Sequence, residues 1–497
     1  MRDMLSLIRG LNFADLPRLV KLHGLKFGLS LLCLAVIGFT VSRYFFLLLD
    51  RPHLYPAGDQ LIWIERVLIP FRDGSINFFQ AVTFEYEVLS HSHIPSLGWL
   101  LLNERFFGLD LRIDMWIGFA CALATIFLVF KYLFSLAKLN LTSLLSLTAI
   151  STIILSTANG ASFSWSVLIF QFVGLSMAVF YMYKFQTLFF GPFWKLALFT
   201  IFILLFSGSI GTAAVISSLI FGFILALKNK SRLLPWGLHL LTVGFCIICF
   251  GWMFNGGRVH SPTGFGDFFQ FIINNPNEFW RGGLNSLSQV FVHERRHEPT
   301  KYFPFMPSFM VGRIITILTL GFAIFAIQDA LRKRNLPLES WLFPSLMIFT
   351  GLLIVAGALK SRLVVGGANY ILAPRYFTTF SVLGIGVILF LTSWVLNNKT
   401  KLSGVFASLF FVLVIAFNWM SSSYTFGIIG YTDRYIQLRT EAMTTWRDTG
   451  LENVQTLVGG PCKDKVRCQT VLEYLEKHEL SAFKTAPFSE QDIAVVK

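Results

Sequence analysis

The stretch YFTTFSVLGIGVILFLTSWVL, from Tyr376 to Leu396, decides the fold class. It holds no charged side chain, is bracketed by Arg375 and by Lys399 and Lys401, and has the length of about 20 apolar residues that a bilayer-crossing helix needs. The same pattern recurs along the chain. Candidate spans are Leu25–Leu49, Ile113–Ser135, Leu141–Ala158, Ser164–Tyr183, Lys195–Ser209, Gly211–Leu227, Leu234–Phe254, Ser308–Ala330, Leu338–Leu359, Tyr376–Leu396 and Leu402–Tyr424, about 11 in all. The whole composition agrees: 55% of the 497 residues are hydrophobic, 16% aromatic and only 14% charged, against roughly 25% charged in soluble domains. A water-soluble fold cannot hide that much apolar surface. The expected fold is therefore an all-α polytopic membrane protein.

Charge sets the expected orientation. The chain carries 41 Lys and Arg against 27 Asp and Glu, a net +14, and basic residues gather in cytoplasmic loops. Arg2, Arg9, Arg18, Lys21 and Lys26 place the 1–24 segment in the cytoplasm. Alternation then puts Lys138, Lys184, Lys228, Lys230, Arg232, Arg332, Lys333, Arg334, Lys399 and Lys401 on that face too. The membrane domain, 25–424, sends loops 50–112, 255–307 and 360–375 outside, together with the tail at 425–497. No basic patch with interleaved aromatics lies outside the apolar segments, so nucleic acid is not an expected partner. The basic amino-terminal region is too long for a cleaved signal peptide, and no small-residue cleavage site follows it.

Loop one reads as partly helical. Leu61, Ile62, Trp63, Ile64, Val67, Leu68 and Ile69 among polar residues suggest a helix lying along the interface with Trp63 at headgroup depth. Pro70 ends it, and Arg72-Asp73-Gly74 reads as a turn. The tail continues helically to about Arg447. Beyond Gly450 it alternates short strand-like and helical stretches, a small α/β-like cap. Its closely spaced Cys462 and Cys468 suit a disulfide loop in an oxidising compartment. Cys33, Cys121, Cys246 and Cys249 fall in apolar spans as small hydrophobes.

Chemistry-bearing residues concentrate in the outer loops. Loop one holds Asp59, Asp73 and the segment Glu85, Glu87, His91, His93. An outer carboxylate can serve as general base, although Asp59 preceding an apolar run equally suits a helix N-cap. His293-Glu-Arg-Arg-His297 has the i, i+4 letters of a zinc helix, but its arginines repel a cation and a solvated charged turn or phosphate patch is the better reading. No metal site and no cofactor is expected. Arg375 follows Pro374 and the Gly366-Gly367 pair, near Lys360 and Arg362. It is either an interfacial anchor or a bidentate ligand for phosphate oxygens. Few charges fall within the spans and no fixed-period repeat is visible, which disfavours a carrier built from duplicated halves.

Taken together these motifs resemble the glycosyltransferase C (GT-C) superfamily, in particular the bacterial serotype-converting glucosyltransferases that modify O-antigen. The resemblance rests on the large first loop with Asp59 and Phe71-Arg72-Asp73-Gly74, on His91-Ser92-His93, on Phe206-Ser-Gly-Ser-Ile-Gly211, on Pro374-Arg375-Tyr376-Phe377 and on Trp446-Arg-Asp-Thr-Gly450. Relatives often show Asn-Glu-His-Arg where this chain reads His-Ser-His-Ile, so only His93 is in register. The resemblance implies a bacterial inner-membrane enzyme that moves one sugar from an undecaprenyl-phosphate donor to a periplasmic glycan or lipid-linked acceptor such as O-antigen. Asp59, Glu87 and Asp73 are the implied carboxylates. Arg375, Arg362, His93 and Tyr376 are the implied donor-phosphate ligands. An O-antigen polymerase or ligase and a lipid-linked glycan transporter share the outline and remain alternatives.

Overall fold

The computed structural model describes residues 16–50, 59–84, 94–136, 140–156, 166–254, 264–291, 313–321, 324, 328, 338–371, 377–398, 401–458 and 460–483. In chain order its principal helices are α1 (Leu16–Asp50), α2 (Asp59–Trp63), α3 (Ile69–Arg72), α4 (Phe78–Val82), α5 (Ile94–Phe107), α6 (Leu111–Leu136) and α7 (Leu141–Ile154). There follow α8 (Ser166–Phe190), α9 (Phe193–Phe206), α10 (Gly208–Lys228), α11 (Leu233–Phe254), α12 (Phe265–Asn274) and α13 (Pro276–Ser288). The series ends with α14 (313–321), α15 (Leu338–Tyr370), α16 (Phe377–Asn398), α17 (Lys401–Thr444), α18 (Trp446–Thr449), α19 (Leu451–Val458) and α20 (Lys465–Lys477). A π-helical turn, Ile64–Leu68, joins α2 to α3.

The chain is a multi-pass membrane protein by the length and apolarity of its helices. Seven of the described stretches meet both criteria: Lys26–Leu49, Leu111–Leu136, Gly208–Lys228, Lys230–Cys249, Ser340–Val364, Phe377–Asn397 and Ser403–Met420. α7 and α9 are apolar but shorter, at 14 residues each, or roughly 21 Å at 1.5 Å per residue. α8 is 25 residues long. Most of the expected span Ser308–Ala330 lies outside the described residues. Leu31, Leu32 and Leu34 on α1 and Leu241, Phe245 and Ile248 on α11 are exposed, which is the condition of a face turned to lipid.

The uncharged Tyr376–Leu396 stretch, as α16, is the hub of the bundle: 94% of its most apolar stretch is buried. Glycines make that possible. A Cβ on Gly351 of α15 would sit 2.5 Å from Leu383, and one on Gly386 of α16 would sit 2.7 Å from the Ile348 nitrogen. Small residues let apolar helices approach closely where no hydrophobic force separates helix from lipid. Side-chain hydroxyls then join the helices. Ser146 Oγ on α7 meets Thr392 Oγ1 on α16 at 2.5 Å, and Tyr132 OH donates to the Ser340 carbonyl at 2.7 Å. Buried His239 on α11 has Ser218 Oγ 3.1 Å from its Nε2 and Thr200 Oγ1 3.4 Å from its Nδ1.

A second hydrophobic core lies outside the bundle, and it corrects two expectations. Leu61, Trp63, Ile64, Val67 and Leu68 are buried against Met443, Trp446, Val471, Leu472 and Leu475 of the tail. Trp63 is only 4% exposed, so the loop-one helix is a protein core element and not an interfacial helix with its indole among headgroups. Its apolar residues occupy all sides of the segment, and the tail supplies the cover that lipid was expected to supply. The tail itself is not α/β-like: helix is the only regular structure among its described residues. The apparent strand alternation in 450–480 belongs to short amphipathic helices, whose stripe in so few turns is hard to tell from period two. Neither loop one nor the tail closes a core alone; together they form one cap.

Candidate functional site

α17 is the mechanical link between bundle and cap. It runs unbroken for 44 residues, about 66 Å at 1.5 Å per residue, twice the thickness of a hydrocarbon core. Where it leaves the apolar region it meets the carboxy-terminal part of α1. There Arg43, inside the Lys26–Leu49 span, donates from Nη2 to the Ser422 carbonyl at 2.6 Å. Beside it a small cleft is lined by Phe39, Thr40, Arg43, Thr152, Asn418 and Ser422. Ser156 Oγ and Ser422 Oγ lie 2.9 Å apart on its margin, and the rings of Phe39 and Trp419 are 4.9 Å apart.

Asn418 makes this cleft chemically incomplete. Its Nδ2 donates to the Phe291 carbonyl at 2.5 Å and to the Val414 carbonyl at 2.9 Å, which fixes which end of the amide is which. Its Oδ1 is buried and accepts no hydrogen bond among the described residues. A buried acceptor left bare costs about 1–3 kcal/mol. Arg43 and Asn418 thus bring a guanidinium and an amide to one cleft, with room for about a single water molecule.

The cap places the loop-one carboxylates. Asp59 starts α2, and the eight residues between it and Asp50 at the end of α1 confine it to the cap side of the bundle. Asp73 lies in the exposed turn after α3, where Oδ1 accepts from Ser75 N at 2.9 Å and from Ser75 Oγ at 2.5 Å. The Ser75 hydroxyl, then its amide, hold the Asp73 carboxyl below the usual carboxylate range, so Asp73 closes a turn and is a weak proton acceptor. Arg72, its neighbour, forks onto Glu104 of α5, Nε lying 2.9 Å from both carboxylate oxygens. Arg72 also bonds Tyr474 of α20; burial first, and then the Glu104 carboxylate, push that phenol up to about 12 against the opposing pull of Arg72. Arg467 of α20 reaches Glu65 at 2.5 Å. The Cys462–Cys468 disulfide, Cα atoms 4.6 Å apart, is buried in the same core.

Glu87, His93, Arg375 and Tyr376 lie outside the described residues, as does the His293–His297 run. The approach to Arg375 is described, however. The stretch expected as loop three is helical through Tyr370, with a break at Gly367, φ +67°. α13 grips the backbone just after the break: Glu278 Oε2 accepts from the Ala368 amide at 3.0 Å, Asn285 Nδ2 donates to the Ala368 carbonyl at 2.8 Å, and Gln289 Nε2 donates to the Ile371 carbonyl at 3.1 Å. Arg362 lies on α15 before the break and is half-buried. Among the described residues no three His, Cys, Asp or Glu side chains come together as a metal site.

Sequence reasoning passed over Arg43, Asn418 and the α13 polar row. A signal existed for each. Arg43 and Asn418 interrupt apolar runs, and an ionisable group inside a span marks a functional site by default. Glu278, Asn285 and Gln289 are spaced seven and four apart, one face of a helix. No family model matches the chain, and neither a curated protein nor a solved structure matches it.

Proposed function

We propose that the chain is a membrane glycosyltransferase that moves a single hexose from an undecaprenyl-phosphate-linked donor to a periplasmic glycan or lipid-linked acceptor such as O-antigen. In this reading it crosses a bacterial inner membrane about eleven times, with a cytoplasmic amino terminus and a periplasmic cap. The observation that supports it is Arg43, a guanidinium held inside an apolar span near its cap-side end and bonded to the Ser422 carbonyl of α17. A lipid-linked donor carries its phosphate at that depth while its tail stays in the bilayer. Arg362 of α15 and, outside the described residues, Arg375, Tyr376 and His93 are the further candidate phosphate ligands in this reading.

The acceptor hydroxyl attacks the anomeric carbon as the bond from that carbon to the phosphate oxygen breaks. The bonding pair leaves on the phosphate, where arginines stabilise the charge. A loop-one carboxylate takes the hydroxyl proton. Asp59 has first claim, since Asp73 is engaged by Ser75; Glu87 is the second candidate.

Expression in a host with defined lipopolysaccharide, followed by mass analysis, tests the reading. One added hexose per repeat is expected. A changed chain length would instead indicate a polymerase or ligase, and an unchanged product sinks the proposal for that acceptor. Asp59→Asn should lower transfer by about 100-fold or more with the protein still folded in the membrane. Full activity in that variant moves the base to Glu87.

A further inference from the structure

The hairpin of α12 and α13 presents three differently composed sectors to its surroundings. At about 100° per residue, Phe268, Phe271 and Ile272 of α12 fall on one side and are partly buried, Phe268 and Phe271 against the bundle core. Phe269 and Ile273 fall on the next side and are 59% and 77% exposed. Asp267, Gln270 and Asn274 fall on the third side and are exposed as well. A helix packed on protein alone needs one apolar side. A second, bare apolar side beside a polar one is the arrangement of a helix lying in the plane of a membrane surface, with acyl chains below and water above. Position agrees, because α12 follows α11, whose apolar face is exposed, by ten residues. Trp280 at the start of α13 is 69% exposed, and indoles favour headgroup depth.

The other side of the hairpin is fixed to the segment that leads to Arg375. A Cβ on Gly282 would lie 2.7 Å from Leu363, so α13 sits hard against α15. Its polar row holds the backbone of 368–371, and Arg281 Nη2 reaches Asn369 Oδ1 at 3.1 Å. We propose that α12 and α13 form a bilayer-seated latch: Phe269, Ile273 and Trp280 dock into the headgroup–acyl boundary of the leaflet on the cap side, while Glu278, Asn285 and Gln289 hold the 368–371 backbone in register with that leaflet. A lipid-borne group then meets this segment at a depth set by the membrane itself. The latch does not depend on which reaction the chain performs.

The test uses the full chain in lipid nanodiscs, with Cys33, Cys121, Cys246 and Cys249 replaced and the Cys462–Cys468 disulfide kept. Single fluorophores go on Phe269→Cys, Ile273→Cys, Gln270→Cys and Asn274→Cys. Lipid-borne nitroxide should quench the first two at least about threefold more than the last two, and aqueous iodide should show the opposite order. Equal access of iodide to all four overturns the proposal. So does a first pair shielded from both quenchers, which would mean a protein cover. In the chain with native cysteines, Trp280→Phe should lower the fluorescence quenched by brominated lipid, and an unchanged value counts against docking. Ile273→Asp should raise hydrogen exchange at amides 368–371; protection equal to the parent chain would sever the docked face from the latch.

Discussion

The bundle and the cap are two cores in one chain, held by different forces because they face different solvents. Between the bundle's spanning helices, neutral polar contacts do the joining: Ser146 with Thr392, Tyr132 with the Ser340 carbonyl, Thr350 Oγ1 with Ser217 Oγ at 3.0 Å. Glycine approaches replace the hydrophobic force that lipid cannot supply. In the cap the contacts are charged or covalent: Arg72 with Glu104, Arg467 with Glu65, and the disulfide. Apolar burial there is driven by water. Arg43 breaks the pattern, a full charge inside a span, near the cap-side end of α1.

That contrast can be attacked at its boundary first. Under the proposed function, Arg43→Ala should reduce the transfer reaction by about 100-fold, as loss of a transition-state charge partner does, with the thermal unfolding of the cap unchanged. Arg43→Lys should recover only part of the loss, because an ammonium lacks the planar fork. Activity that survives both changes would detach the cleft from the chemistry.

Within the cap, replacing both Cys462 and Cys468 by Ser should cost about 2 kcal/mol, the value for so short a closed loop. Differential scanning calorimetry should show the cap transition fall while the bundle transition stays. A common shift of both would mean that the two cores unfold as one. Tyr474 gives a smaller, pH-dependent effect. Its folded pKa is raised, so its contribution to stability is complete below about pH 10 and is lost as pH rises toward about 12. Tyr474→Phe should flatten the cap's stability over that window, measured by hydrogen exchange. Ser146→Ala in the bundle should cost least, about 0.6 kcal/mol, the average for hydrogen bonds between membrane helices. A loss several times larger would show a bundle held by polar contacts more than by packing.

Much of the bundle was readable because a bilayer imposes one demand, a long apolar helix, and composition reports it directly. α6, α10, α11 and α16 fall close to the boundaries read from the sequence, whereas α1 begins nine residues before the expected span and α15 runs eleven residues past it. The cap was harder. Leu61 to Leu68 announces an apolar surface without saying whether lipid or protein covers it, and the cover, Val471 to Leu475, lies at the far end of the chain. Of the candidate site, Asp59 was legible as a residue at the start of a helix. Asp73 was legible as a residue but not as an occupied one, since its bond to Ser75 depends on the turn's geometry.

The sequence by itself determined that this chain lives in a membrane, since its hydrophobic content leaves no other solvent for it. It also assigned Tyr376–Leu396 to a helix. Only the tertiary structure decided that this helix, span-like in length and free of charge, is turned away from lipid, with 94% of its most apolar stretch buried. Lipid and a neighbouring helix are equally apolar, so hydropathy cannot tell them apart. Close approach at Gly351, Gly384 and Gly386 can, and such approach exists only once the helices are together. The same holds for Arg43: its charge is local, but its meeting with Asn418 and Ser422 joins two helices from opposite ends of the chain, Arg43 and Ser422 being 379 residues apart in sequence.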